Sequence, residues 1–196
     1  DERVGPINEK QAELLSAARD DAERLFSIVN NLLDVARYKS GKTVLELQPV
    51  PAYKTLDKAA AAARSSYHHA GVELTLDAPD DLPDVLVNEA RITYVFDNLL
   101  SNALKHSSPG AVVVMTARVT DKYLEVAVSD QGPGIPKEDL PRVFDRFYRG
   151  KHEGAVQGVG LGLAIAREIV EAHGGTISVS SVLDHGATFT FSLRKV

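Results

Sequence analysis

Asn98 and Asn102 lie four residues apart in the run NLLSNALKHS, residues 98–107. On a helix their amides share one face, with Lys105 three residues beyond Asn102 and beside it. Amides lower helix propensity and suit a core badly, so two stacked on one face invite an explanation. An asparagine carbonyl oxygen can fill one place in a magnesium octahedron whose other ligands are waters and phosphate oxygens, and a neighbouring lysine would neutralise phosphate charge. The alternative is a polar stripe open to water on an ordinary surface helix.

The run DQGPGIP, residues 130–136, places an acid at the end of an apolar stretch and follows it with Gly132 and Gly134. Glycines so arranged let a ligand approach the backbone. A P-loop would need lysine and a hydroxyl after its second glycine, and a dinucleotide fingerprint would need G-x-G-x-x-G opening a helix; neither is present. The run GVGLGL, residues 158–163, precedes an apolar helical pattern, with Leu163 where a third fingerprint glycine would stand. A helix start with so little bulk exposes N–H groups to an anion, although a hinge or a tight helix contact explains the same glycines. The preceding RGKHEGAVQ has the composition of a mobile loop.

The elements that position these residues follow from periodicity. Apolar residues from Leu14 and Leu15 through Leu25, Leu32 and Ala36 recur at helical spacing between about Asn8 and Lys39, with Gly41 as a C-cap. One apolar stripe on a helix that long calls for a partner helix, either in its own domain or in a dimer. Then TVLELQPV reads as a strand, Pro51 to Ala70 as an alanine-rich helix, GVELTLDA and DVLV as strands, and Glu89 to His106 as an amphipathic helix. Two alternating runs meeting at Asp121 and Lys122 make a hairpin, a helix runs from about Leu161 to Ala172, and a last hairpin turns near Asp184 to Gly186. The expected fold is α+β: a two-layer α/β sandwich with a mixed, mostly antiparallel sheet, helices on one face, and a long helix in front.

Composition bounds the function. With 196 residues, 44% of them hydrophobic and 25% charged, the chain can bury a core, and its net charge of −5 argues against a nucleic-acid partner. There are no cysteines, which excludes disulfides and thiolate chemistry. No apolar run approaches the roughly 18 residues of a membrane helix, so no membrane contact is expected and a cytoplasmic location is. The chain begins at Asp1, almost directly in a helical pattern, and is expected to belong to something longer, whose parent could be membrane-anchored.

NLLSNALKHS, DQGPGI, FDRFYRG, GVGLGLAIAREIVEAHGG and GATFTF, in this order and spacing, resemble the asparagine, glycine and phenylalanine boxes of sensor histidine kinases. Those enzymes share an ATP-binding fold with gyrase, chaperone and mismatch-repair ATPases. The resemblance implies two domains: residues 1–41 as the second helix of a dimerisation hairpin, and 42–196 as the ATP-binding catalytic domain. By the same resemblance Asn102 is the magnesium ligand, Asn98 its companion, and Lys105 and Arg149 phosphate contacts, with His106 and Tyr148 near the nucleotide. Asp130 accepts from the adenine amine, so the ligand of DQGPGIP is a base. Gly132, Gly134 and Ile135 line the base, Gly158, Val159, Gly160, Leu161, Gly162 and Leu163 form the lid over the phosphates, and Thr188 lies at the adenine floor. The implied partners are ATP with magnesium, a response regulator, and a second copy of the full-length protein through the leading helix.

Three departures stand out. The last box usually reads G-x-G-T, but here Asp184 replaces the first glycine and Ala187 the threonine, while Asn88 stands where the family has aspartate. The family's acceptor box, H-E-[LF]-[RK]-x-P, is not present; His152–Glu153 lies in the expected lid, and His68, His69, His173 and His185 read as structural or surface residues. The resemblance therefore implies nucleotide machinery without its phosphoacceptor. A hydrolysing ATPase of the same fold needs a carboxylate where Asn98 stands, and an amide cannot take that proton. A module that binds nucleotide or dimerises without catalysis is the other alternative, and retention of Asn102, Asp130 and the lid glycines argues against it.

Overall fold

The computed structural model describes residues 7–19, 22, 45–150 and 160–196. The chain divides into two compact units, Asp1–Lys42 and Thr43–Val196. In the first, residues 9–19 form a helix, α1. Its start is a reciprocal cap: Asn8 Oδ1 accepts from Gln11 N–H and Gln11 Oε1 accepts from Asn8 N–H, satisfying two donors that the first turn leaves open. Leu14, Leu15 and Ala18 on this helix are exposed, as is Ala22, and the stripe from Leu25 onward lies outside the described residues.

The second unit runs β1 (Gln48–Pro51), α2 (Ala52–His69), β2 (Glu73–Asp77), β3 (Asp84–Val87), α3 (Glu89–Lys105), β4 (Val112–Val119), β5 (Tyr123–Ser129), α4 (Gly162–Ala172), β6 (Ile177–Ser181) and β7 (Ala187–Arg194), with a 3₁₀ turn at Leu140–Arg142 before α4. Five strands form one sheet in the order β2-β4-β5-β7-β6. Only the β2–β4 pair in it is parallel, so the sheet is mixed and mostly antiparallel as the pattern predicts.

Strand alternation decides which face the helices cover. Leu124, Val126 and Val128 of β5 stand opposite Leu193, Phe191 and Phe189 of β7, and all six are buried. Phe191 meets Phe96 of α3 edge to face at 5.4 Å, which places α3 on that side. Each such large side chain contributes about 1.5–3 kcal/mol on burial. Ser129, Ala127, Thr188 and Thr190 belong to the opposite face. One further bond joins the helices: Tyr67 of α2 donates its buried hydroxyl to the Leu100 carbonyl of α3 at 2.8 Å, and burial pushes its phenol far up.

The strand expected over TVLELQPV is shorter and placed differently. Pairing begins at Gln48, and β1 joins β3 in a separate antiparallel ribbon rather than entering the main sheet. Pro49 and Pro51 are the physical reason, because a residue without N–H cannot serve a central ladder.

Candidate functional site

The site is built on α3, on the loop after β5 and on the start of α4. Asn88 caps α3, its Oδ1 accepting from Arg91 N–H at 3.2 Å and its Nδ2 donating to the Glu46 carbonyl at 3.3 Å. Asparagine therefore serves where aspartate was expected, since an N-cap needs only a side-chain oxygen. At the other end of α4, buried His173 ties the two helices together. Its Nε2 accepts from Asn88 N–H at 3.0 Å, which leaves Nδ1 as the protonated nitrogen, donating to the Ile169 carbonyl at 2.7 Å. Burial lowers its pKa, so the neutral form fits both bonds.

This far-end bond sets the near end. Asn98 lies ten residues beyond Asn88 on α3, and Gly162 eleven residues before His173 on α4. At roughly 1.5 Å per residue the two intervals are nearly equal. Gly162 arrives against Asn98 accordingly: a Cβ on Gly162 would stand 2.1 Å from Asn98 Oδ1. Asn98 Nδ2 donates to the Tyr94 carbonyl at 2.8 Å, so its oxygen is the end turned to α4. Asn102 is half-buried one turn later, and Lys105 is exposed one turn beyond.

The same helix reaches the second part of the site. The carbonyl of His106, the C-cap of α3, lies 2.5 Å from where a Cβ of Gly132 would be, and Asp130 Oδ1 at 2.9 Å from it. Asp130 Oδ1 accepts from Gly132 N–H at 2.9 Å and from Ala187 N–H at 3.2 Å. Two backbone donors thus orient the carboxylate, and its Oδ2 takes no hydrogen bond among the described residues. From Asn98 to His106 the helix spans about 12 Å, the scale of a nucleoside phosphate rather than a single ring. A base at Asp130 and phosphates along Asn98, Asn102 and Gly162 would fit that span.

Gly134 has φ +71° and a Cβ there would meet the Val182 carbonyl at 2.2 Å, so packing of protein on protein already demands glycine. Ile135 is half-buried and its N–H donates to Ser181 Oγ at 2.8 Å. Gly160 has φ +72° and its carbonyl accepts from Phe147 N–H at 2.8 Å. Leu161 is buried and Leu163 half-buried at the start of α4, while Gly158 and Val159 lie outside the described residues with the rest of the expected mobile lid. Arg149 is exposed.

One expected contact is corrected. Thr188 belongs to the sheet face away from the helices, its hydroxyl 2.9 Å from Ser129 Oγ; strand alternation puts Ala187, not Thr188, beside Asp130. Tyr148 donates its hydroxyl to Asp139 at 2.5 Å, and Arg142 lies over its ring at 4.3 Å, so that donor serves the 3₁₀ turn. Sequence reasoning missed the His173–Asn88 bond and the role of Ser181. The first pairs residues 85 positions apart, and the second was signalled only by a hydroxyl at the inward position of a strand end.

Comparison with known proteins identifies the family. The family model described as histidine kinase-, DNA gyrase B-, and HSP90-like ATPase matches residues 87–196. The alginate biosynthesis sensor protein KinB of Pseudomonas aeruginosa is 35% identical over 185 residues, 94% of this chain and 31% of KinB. The sensor histidine kinase WalK of Bacillus subtilis strain 168 is 35% identical over 183 residues, 91% of this chain and 30% of WalK. This chain thus spans under a third of the length of either relative. The crystal structure of full-length ShkA in complex with AMPPNP is 30% identical with a TM-score of 0.78, over 98% of this chain and 41% of that one. The matched segment holds α3, the Asp130 loop and α4 together, and the chain belongs to the histidine kinase-, DNA gyrase B- and HSP90-like ATPase family.

Proposed function

We propose that this chain is the ATP-binding catalytic portion of a sensor histidine kinase, which binds magnesium-ATP and delivers the γ-phosphoryl group to a histidine on a dimerisation helix not contained in this sequence. The observation that carries the reading is Asp130, a carboxylate oriented by two backbone donors at one end of a helix whose other end brings Asn98 against the start of α4. A carboxylate accepts from the amine of adenine and repels the carbonyl that guanine has there. Asn102 Oδ1 would supply one magnesium ligand, the metal would offset charge on the phosphates, and Lys105 and Arg149 would offset more of it. Among the described residues no group of three or more histidine, cysteine, aspartate or glutamate side chains could hold a metal by itself.

Transfer is favoured over hydrolysis because Asn98 is an amide with its nitrogen committed to Tyr94. Asp97 is the adjacent carboxyl, and desolvation raises its pKa, but the residue as a whole is exposed and lies roughly 100° round the helix from Asn98. In transfer, a bond from the imidazole nitrogen to γ-phosphorus forms as the β,γ-bridging P–O bond breaks and ADP leaves. Dimerisation of the full-length protein through α1 is supported by exposed Leu14 and Leu15. A response regulator would then take the phosphoryl group, in the cytoplasm where ATP is available.

Titration with labelled ATP, with and without magnesium, tests the binding half. Incubation of the chain and a histidine-bearing helical hairpin with γ-labelled ATP tests the other. Acid-labile, base-stable label on the hairpin is expected; fast phosphate release without label favours the hydrolytic reading.

A further inference from the structure

The loop that carries Asp130 and the turn from β6 to β7 are joined by bonds that neither hairpin needs for itself. Asp130 N–H donates to the Ala187 carbonyl at 2.9 Å and Ala187 N–H returns to Asp130 Oδ1 at 3.2 Å. Three residues on, Asp184 N–H donates to the Pro133 carbonyl at 2.7 Å. At the far end of the loop Ile135 N–H donates to Ser181 Oγ at 2.8 Å, and that hydroxyl donates to the Gly186 carbonyl at 2.6 Å. Gly186 sits so close that a Cβ would stand 2.0 Å from the Asp130 carbonyl. A single hydroxyl thus uses its donor and an acceptor to tie one end of the loop to the residue preceding Ala187, whose N–H holds the other end.

Ser181 reaches this place by strand register. It stands opposite Ala187, on the face shared by Val179 and Phe189 and turned to the helices. Its side chain therefore lies under the loop rather than on the open face where Ser180 and Thr188 stand.

We propose that Ser181 is a positioning residue for base recognition: by joining Ile135 to Gly186 it sets the height of Ala187 N–H and hence the orientation of the Asp130 carboxylate. The inference rests on the reading that Asp130 receives the adenine amine. It makes the β6–β7 turn part of the nucleotide's specificity apparatus without touching the nucleotide.

The test is Ser181→Ala, with ATP and GTP affinities and the thermal midpoint measured on the whole chain. Losing the clip should weaken ATP about 3- to 10-fold, the scale of one hydrogen bond, with GTP little changed, so that the preference for ATP shrinks by the same factor. Ser181→Thr, which keeps the oxygen, should restore the preference. Combined with Asp130→Asn, the Ser181→Ala effect should shrink, because the group it positions has gone. Should Ser181→Ala not fold, Ser181→Cys keeps the volume with a much weaker hydrogen-bonding group and gives the same comparison. ATP affinity within twofold of the parent chain, or equal loss for both nucleotides with the preference intact, overturns the proposal. If Asp130→Asn itself leaves ATP affinity unchanged, the base-site reading falls first and takes this inference with it.

Discussion

The two ends of the site are built differently. At Asp130 nearly every contact is backbone to backbone, or backbone to a short side chain: Gly132 against the His106 carbonyl, Gly134 against Val182, Gly186 against Asp130. At Asn98 the contact is a side-chain amide against Gly162, on two helices held in register from their far ends by His173. An end made of backbone cannot yield without moving strands. An end made of side chains can adapt, as the phosphate end of the proposed site would require.

Two glycine substitutions test this contrast most sharply. Gly186→Ala would force a Cβ to 2.0 Å from the Asp130 carbonyl at φ +82°, costing on the order of 3 kcal/mol from left-handed strain and overpacking together. Gly162→Ala meets the free end of an amide and gains helix propensity, so its stability should change by less than about 1 kcal/mol. Its penalty should appear instead in magnesium-ATP binding, through a displaced Asn98. Urea unfolding paired with ATP titration separates the two; equal loss of stability in both variants would erase the distinction between the ends.

Next in size is the carboxylate itself. Asp130→Asn keeps an oxygen for Gly132 and Ala187 but removes the charge that faces an amine, and a hydrogen bond to a charged group is worth about 1.5–3 kcal/mol. ATP affinity should fall roughly 10- to 150-fold, with stability changed far less than in Gly186→Ala. Affinity held within twofold breaks the assignment of this end to the base.

How much of this could be read in advance follows the same division. The strands, the three helices of the second unit and the pairing of Asn98 with Asn102 are local patterns, and periodicity carries them. The Gly132 and Gly134 positions were legible as a place of close approach, although Val182 and His106 rather than a ligand fill the space a Cβ would need. Thr188 was misplaced because its neighbour in sequence faces the other way, and one residue of register reverses a side chain. The β1–β3 ribbon was hidden because a short strand's partner is not written in its own residues. His173 was legible only as structural or surface, and its partner 85 residues away was not legible at all.

His173 offers a smaller, pH-dependent test of how the adaptable end is held. Its folded pKa is lowered by burial, so as pH falls the unfolded chain takes up a proton before the folded one. The stability it contributes is complete above the unfolded value of about 6.5 and declines below it, by at most about 1.4 kcal/mol per pH unit. Protonation would put an N–H at Nε2 against Asn88 N–H, loosening the bond that sets the α3–α4 register. Urea midpoints between pH 7.5 and 5.5 should slope downward with acid, and His173→Gln should flatten that slope. An unchanged slope in the variant removes His173 as its source.

The smallest expected effect lies at Asp184. It holds φ +63° in the β6–β7 turn, its N–H is bonded to Pro133, and its side chain is exposed. A left-handed conformation costs an ordinary residue roughly 1–2 kcal/mol, less for aspartate, whereas glycine takes it freely but leaves the unfolded chain about 0.4–1 kcal/mol more entropy to lose. The two nearly cancel, so Asp184→Gly should stabilise by no more than about 0.5 kcal/mol and leave ATP affinity untouched, whereas Asp184→Val, β-branched at positive φ, should destabilise by about 1–2 kcal/mol. If the base end is held by backbone, the identity of this side chain matters only through φ. A clear loss of ATP affinity in Asp184→Gly, with stability preserved, would mean instead that the aspartate side chain itself takes part in shaping the loop around Asp130, and the contrast between a backbone-built end and a side-chain-built end would have to be given up.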